Sequence, residues 1–335
     1  MRRELVWATV IGISFGLIVA FGVWRVNSSI NKSKSVFPQK TPDSQNPQSE
    51  FKITLNSPSE DSVVTTSPIT VSGITKPLAW VVVSGESGDY ILQSDEKGIF
   101  TQDVVLTPGV NRIKISAFDP NGNQSLQKVL VVYSSAFQIK TVVSPTPGEA
   151  ATGDAAIREK VAQKVAEAMS QPKAYLGVVT DITSSTIQIK NPEAQIEQIS
   201  IGSDGITVIN TTGKVNKTVK LTDIAIGDFI TAMGYVNGNQ VLIGQRILIT
   251  DPVEDTKLSV SMAKVTKTST KTLTVSDLKT GETGTVTPGK NTVLASFANG
   301  KTGNVKITGI KADSLVIYVT DASGTTPFTR SIFSI

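Results

Sequence analysis

Pro108-Gly-Val-Asn-Arg-Ile-Lys-Ile-Ser-Ala-Phe-Asp-Pro-Asn-Gly-Asn123 sets the fold class. From Asn111 to Ala117 polar and apolar residues alternate, so Ile113, Ile115 and Ala117 share one face of an extended strand. Pro108-Gly109 and Asp119-Pro-Asn-Gly-Asn123 bracket that strand with turn chemistry. Working outward, the same rhythm predicts strands at Ile53–Leu55, Ile69–Ser72, Trp80–Val83, Tyr90–Gln93, Ile99–Leu106 and Lys128–Tyr133. Seven short strands in one segment, residues 51–134, predict a β-sandwich.

Asn56-Ser-Pro58, Pro68-Ile-Thr-Val-Ser-Gly73 and the stretch from Pro108 to Asn123 make this segment resemble bacterial immunoglobulin-like domains of the glucodextranase type. Antibody domains carry a cysteine pair that is missing here. The resemblance implies a spacing or binding module and supplies no catalytic residue.

Beyond Tyr175 the chain repeats itself. Val179-Thr180 returns as Val265-Thr266, Thr186-Ile-Gln-Ile189 as Thr272-Leu-Thr-Val275, and Phe229-Ile230 as Leu315-Val316, always 86 positions on. A constant offset marks a duplicated unit rather than shared composition. Each copy, residues 173–250 and 256–335, offers about six strands without a helical pattern, which predicts a small closed β-barrel. The first copy resembles a family of small bacterial β-barrel domains of unknown function, through Gly177 to Ile189, Asp223 to Ile230 and Gln245 to Ile249. That family brings no site residues.

The N-terminal end reads differently. Residues 5–24 carry no charge and match the ~20 residues of a membrane-spanning helix. Trp7 and Trp24 stand near its ends, where amphipathic rings favour the headgroup layer. Arg2 and Arg3 precede it like the n-region of a secretory signal, whereas Arg25, Lys32, Lys34 and Lys40 after it argue for the opposite orientation. Long C-terminal domains translocate largely regardless of flanking charge, so the tail before the helix is expected in the cytoplasm and the rest outside. Residues 1–26 thus read as tail and signal-anchor, and residues 27–50, rich in Ser, Asn, Gln, Lys and Pro, as a polar stalk. Residues 135–172 read as a linker with a helix over 155–170, in which Ile157, Val161, Val165 and Met169 recur every four residues.

Inventory narrows the chemistry. The chain has no histidine and no cysteine, which removes Ser-His-Asp and Cys-His nucleophiles, His-metal centres and disulfides. Gly284-Thr-Val-Thr-Pro-Gly-Lys-Asn291 approaches a P-loop but ends in Asn where a hydroxyl should hold magnesium, and it reads as strand and turn. Ser94-Asp-Glu-Lys97 sits in a hairpin rather than at a helix start. Asp119, Asn121 and Asn123 lack the late glycine and bidentate Glu of a calcium loop, and Asp223 and Asp228 flank one apolar stretch. No cofactor and no catalytic or metal-binding residue is expected.

From Thr256 onward nine lysines and one arginine face only four carboxylates. Lys264, Lys267, Lys271, Lys290, Lys301 and Lys306 are the candidate contacts for a polyanion, although lysines on exposed strands also block edge pairing. Nucleic acid is not an expected partner, because Tyr175, Phe229 and Tyr235 are the few stacking candidates of the first copy. The sequence therefore predicts a mainly β, single-pass protein of the bacterial cell membrane that presents or spaces non-catalytic modules outside the cell. Expected partners are the lipid bilayer through residues 5–24 and a cell-wall polymer, polysaccharide or envelope protein. Two further classes stay open: a carbohydrate-binding or accessory subunit of an envelope enzyme, and a basic adhesin. Oligomeric state is not legible.

Overall fold

The structure, a computed structural model, describes residues 51–139, 171–202, 205–213, 215–253, 257–298 and 300–335. The expected membrane helix with Trp7 and Trp24, the stalk and the helix over 155–170 lie outside the described residues. Among the described residues no helix is long and apolar enough to cross a membrane. What is described is almost wholly strand and turn.

The first module has eight strands: β1 (Thr54–Ser57), β2 (Ser62–Val64), β3 (Ile69–Ile74), β4 (Trp80–Ser84), β5 (Asp89–Gln93), β6 (Ile99–Val104), β7 (Gly109–Phe118) and β8 (Gln124–Tyr133). The order β1-β3-β6 forms one sheet and β2-β8-β7-β4-β5 belongs to the other. Alternation decides what lies between them. Ile113, Ile115 and Ala117 of β7 join Val81, Val83, Phe100 and Val131 in a buried core. The opposite face of β7 is not left to solvent, since Ser116 and Phe118 are buried as well.

The second module comprises β9 (Pro172–Ile182), β10 (Thr186–Lys190), β11 (Ile196–Ile201), β12 (Thr207–Asn210), β13 (Lys217–Val219), β14 (Phe229–Val236) and β15 (Leu242–Thr250). Strand β9 pairs with β10, β10 with β11, β11 in parallel with β15, β15 with β14, and β14 with β9 again. The ring therefore closes, and a closed ring leaves no edge among those strands. Ile187, Ile189, Ile199, Ile230, Leu242 and Ile247 fill it.

The third module repeats the plan with β16 (Leu258–Thr268), β17 (Leu273–Asp277), β18 (Thr283–Val286), β19 (Pro288–Ala298), β20 (Lys301–Asn304), β21 (Leu315–Asp321) and β22 (Phe328–Ser334). Strands β9 and β16 are both eleven residues long and begin 86 positions apart. The single-turn segments Leu221–Asp223 and Ile307–Gly309 keep the same offset. Strands β18 and β19 bend around Thr287 and carry the sheet from β17 across to β22. The last strand has slipped by one: Ile230 pairs with Ile249, while its counterpart Val316 pairs with Ser334, 85 positions further on.

The modules are joined rather than strung out. Strand β2 pairs in parallel with β8 and touches β9 through Ser62 and Lys173, so the sandwich sheet runs on into the first barrel. Val63, Val132, Phe137, Ala174 and Met233 form an apolar cluster at that joint. The second barrel covers the outer face of the sandwich sheet, where Val82, Ile91 and Phe118 pack with Leu258, Val260, Met262, Ile317, Val319 and Phe333. Residues 135–172, expected as a spacer, begin and end at one place. The Phe137 ring lies 6.2 Å from that of Tyr235, and Pro172 pairs with the same Tyr235.

Candidate functional site

The joint between sandwich and first barrel shapes a cleft of about 590 Å³, within the ~300–1,000 Å³ usual for small-ligand sites. Its apolar lining comes from Ile113, Val129 and Leu130 on the sandwich and Ala174 and Leu176 on the barrel. Charged residues complete the lining. Arg112, Lys114 and Lys128 project from β7 and β8, Glu60 and Asp61 from the turn before β2, and Glu193 and Glu197 from the β10–β11 hairpin.

Strand alternation places the basic side. Arg112 and Lys114 lie on the face of β7 opposite Ile113 and Ile115, and both hold the connection between the barrels. Arg112 Nη2 donates to the Val253 carbonyl at 2.6 Å, and Lys114 Nζ donates to the Leu258 carbonyl. The acidic turn is clasped on both sides. Asp61 N donates to the Leu130 carbonyl at 3.0 Å, Leu130 N donates to Glu60 Oε1 at 3.0 Å, and Ala174 N donates to the Asp61 carbonyl at 2.8 Å. Lys173 Nζ donates to the Glu60 carbonyl and, at 3.4 Å, to Ser59 Oγ.

Burial weighs on these acids. It is the main reason Asp61 is pushed up to about 6, with the neighbouring Glu60 charge adding to it. Glu60 and Glu197 are also raised chiefly by burial, against the hydrogen bonds from Leu130 N and Asn191 Nδ2 respectively. Tyr175 is raised by burial and then by the charges of Glu197 and Asp61. Among the described residues no group of three or more His, Cys, Asp or Glu side chains is arranged to hold a metal ion.

No cleft residue is a site candidate on sequence; Ile113 is read there only as a core position. The contacts of Glu60 with Leu130 and Lys173 join positions 70 and 113 apart, and no local spacing encodes them. The candidate lysines lie elsewhere. All six are exposed on the second barrel: Lys264 and Lys267 on β16, Lys271 in the following turn, Lys290 on β19, Lys301 on β20 and Lys306 beyond it. Lys264 Nζ is paired with Asp313 at 2.9 Å. Lys301 pairs with Ala298 at the C-terminal end of β19, whereas Lys290 lies in the irregular stretch near the start of that strand.

The motifs set aside on sequence are built into the scaffold. Ser94 is buried, with Oγ donating to the Lys76 carbonyl at 2.8 Å and accepting from Ala79 N at 2.9 Å. Asp119 accepts from Asn121 N, Asn123 N, Asn123 Nδ2 and Lys76 Nζ, which together hold its carboxyl below the usual range despite burial. Asp223 caps its single turn through Lys220 N, and Asp228 accepts from Ala225 N. Gly284 to Asn291 spans β18 and β19 rather than a loop opening a helix.

No protein-family model and no curated protein matches the chain. Several solved structures do. A tetra-tandem repeat in the extending region of a large adhesion protein matches at 13% identity over 85% of this chain and 72% of that one, with a TM-score of 0.22. A Ca2+-stabilized adhesin that helps an Antarctic bacterium reach out and bind ice matches at 15% over 84% and 72%, with a TM-score of 0.20. A 1.5-MDa bacterial ice-binding adhesin matches at 11% over 85% and 95%, with a TM-score of 0.19. At such scores the likeness carries no argument about role.

Proposed function

We propose that this chain is a membrane-anchored, extracytoplasmic and non-catalytic protein that holds one rigid β body at a bacterial envelope and presents a binding surface on it. The observation that carries this reading is the fusion of sandwich and both barrels through shared apolar clusters, behind an uncharged run over residues 5–24 and a polar stretch over 27–50. A body of that kind transmits position rather than chemistry. The lack of histidine and cysteine supports a non-catalytic role, as does the structural use of Ser94, Asp119, Asp223 and Asp228.

A carbohydrate-stacking role through Trp80 has less support. Its ring meets Phe297 edge-on at 5.1 Å and is used between modules. Polyanion contact through Lys264, Lys267, Lys271, Lys290, Lys301 and Lys306 has less support, because Lys264 is paired with Asp313.

The cysteine-free chain makes the test clean. Ser184, exposed in the β9–β10 turn, is replaced by Cys, and intact cells are treated with a membrane-impermeant maleimide. Labelling of intact cells to the level of lysed cells is the expected result. Labelling only after lysis would overturn the proposed topology.

A further inference from the structure

Strand β14 is buried on both faces. Ile230, Ala232 and Val236 pack inside the first barrel. Phe229, Thr231, Met233 and Tyr235 alternate with them and face outward, yet Thr231 and Met233 are fully buried and Phe229 nearly so. The next strand continues that outer face, since Thr250, Leu248 and Arg246 of β15 pair with Phe229, Thr231 and Met233 in turn. The sandwich accounts for one margin of it. It joins through β9 and reaches Ala174 and Met233 with Val63, Val132 and Phe137. Strand β15 lies two strands beyond β9, about 10 Å away. Thr231 Oγ1, Arg246 Nε and Thr250 Oγ1 are nevertheless shut off from water, with no hydrogen-bond partner among the described residues. Burial also pulls Arg246 below its ordinary value.

We propose that residues 140–170 fold back over this outer face and dock on it through the helix that the sequence predicts over 155–170. The ends of the segment point there. The described chain leaves at Ile139, just after Phe137, whose ring is 6.2 Å from that of Tyr235, and it resumes at Gln171, next to Pro172, which pairs with Tyr235. Length agrees as well. A helix over 155–170 is ~24 Å long, and β14 over Phe229–Val236 is ~26 Å. Residues 140–154, at ~3.3 Å each, have ample reach to carry the chain to the far end of β14 first. The register is the closest match. Four helical residues advance ~6 Å and two strand residues ~6.6 Å. Met169, Val165, Val161 and Ile157 therefore come level, one by one, with Tyr235, Met233, Thr231 and Phe229. Ala162 and Ala166 flank that stripe and allow close approach, while Glu159, Gln163 and Glu167 fall on the opposite side of the helix. The docking lies within one chain, so it goes beyond the envelope reading and does not depend on it.

Thiols introduced into this cysteine-free chain test it. Thr231→Cys should resist a thiol reagent in the full chain. Replacing residues 140–170 by a short glycine-serine linker should speed its modification at least ~10-fold, because the site then no longer waits for a local opening. Protection unchanged by the replacement would show that another module covers Thr231 and would overturn the docking, as would rapid modification in the full chain. A cross-link keeps the test decisive where the shortened chain fails to fold. Leu248 stands opposite Thr231, so mild oxidation of the full chain should join Leu248→Cys to Val161→Cys. Gln163→Cys, on the far side of the helix, should yield about a tenth as much disulfide, since its Cβ points away. Equal yields from positions 161 and 163, or none from either, would overturn the docking.

Discussion

At Asp61 the backbone takes a left-handed turn, with φ at +57°, and its carboxyl is pushed from 3.8 to about 6 chiefly by burial. A raised carboxylate favours folding in its neutral form. The stability it lends is therefore present below the unfolded value near 4, fades as pH climbs through about 6, and is absent above. Asp61→Asn tolerates the same backbone and removes the charge. It should stabilise the chain by about 1 kcal/mol near pH 8, because solvent screening discounts the full shift, and leave stability unchanged near pH 4. Urea unfolding at the two pH values checks this, and equal midpoints for both chains near pH 8 would mean the charge costs nothing there. A second residue reports on contact between modules. Gly122 has φ at +78°, and an added Cβ would stand 2.7 Å from Leu278 Cβ on the second barrel; Gly281, at +73°, has open space around it. Gly281→Ala should cost only the left-handed strain of about 1 kcal/mol, and Gly122→Ala about 1–3 kcal/mol more. Thermal unfolding of the pair isolates the difference.

At the scale of elements, strands were the legible part. The period of two in Asn111 to Ala117 reports the sandwich core directly, since each Ile that it places inward is buried there. The 86-residue offset likewise survives in β9 and β16. Strand β2 was not legible. Ser62-Val63-Val64 is three residues long, too short for periodicity, and its pairing partners come from β8 and β9. Nor was the link between β5 and β22. The Asp89 side chain is buried, accepts from Ser331 Oγ at 2.6 Å and lies 3.5 Å from Arg330 Nε, while Arg330 Nη2 donates to the Gly85 carbonyl at 2.8 Å. Removing one partner of such a pair strands the other charge away from water. Arg330→Met is expected to cost about 3 kcal/mol, and adding Asp89→Asn to recover much of it. A double-mutant cycle measures the coupling, and additive losses would show that the pair is not acting as one.

At the scale of the molecule the sandwich is the hub, and the two barrels meet it with equivalent faces. Ala174 and Met233 of the first barrel lie in the joint cluster, and their counterparts 86 positions on, Val260 and Val319, lie in the cluster beneath the second barrel. Sequence periodicity could identify those positions as apolar but not say what they cover, because the covering surface belongs to another module. The same limit hid the cleft, whose walls exist only once the sandwich and first barrel are joined. The arrangement has a consequence for truncation. A chain ending at Val253 keeps the sandwich core around Val81, Val83 and Ile115, but it uncovers Trp80, Val82, Ile91 and Phe118. Each buried apolar side chain is worth about 1.5–3 kcal/mol as an upper bound, so the exposed patch should lower stability and bind a hydrophobic dye. Dye fluorescence and thermal unfolding of the truncated and full chains provide the comparison. If the truncated chain binds no dye and melts with the sandwich unchanged, the modules are independent units on a string and the rigid-body reading fails.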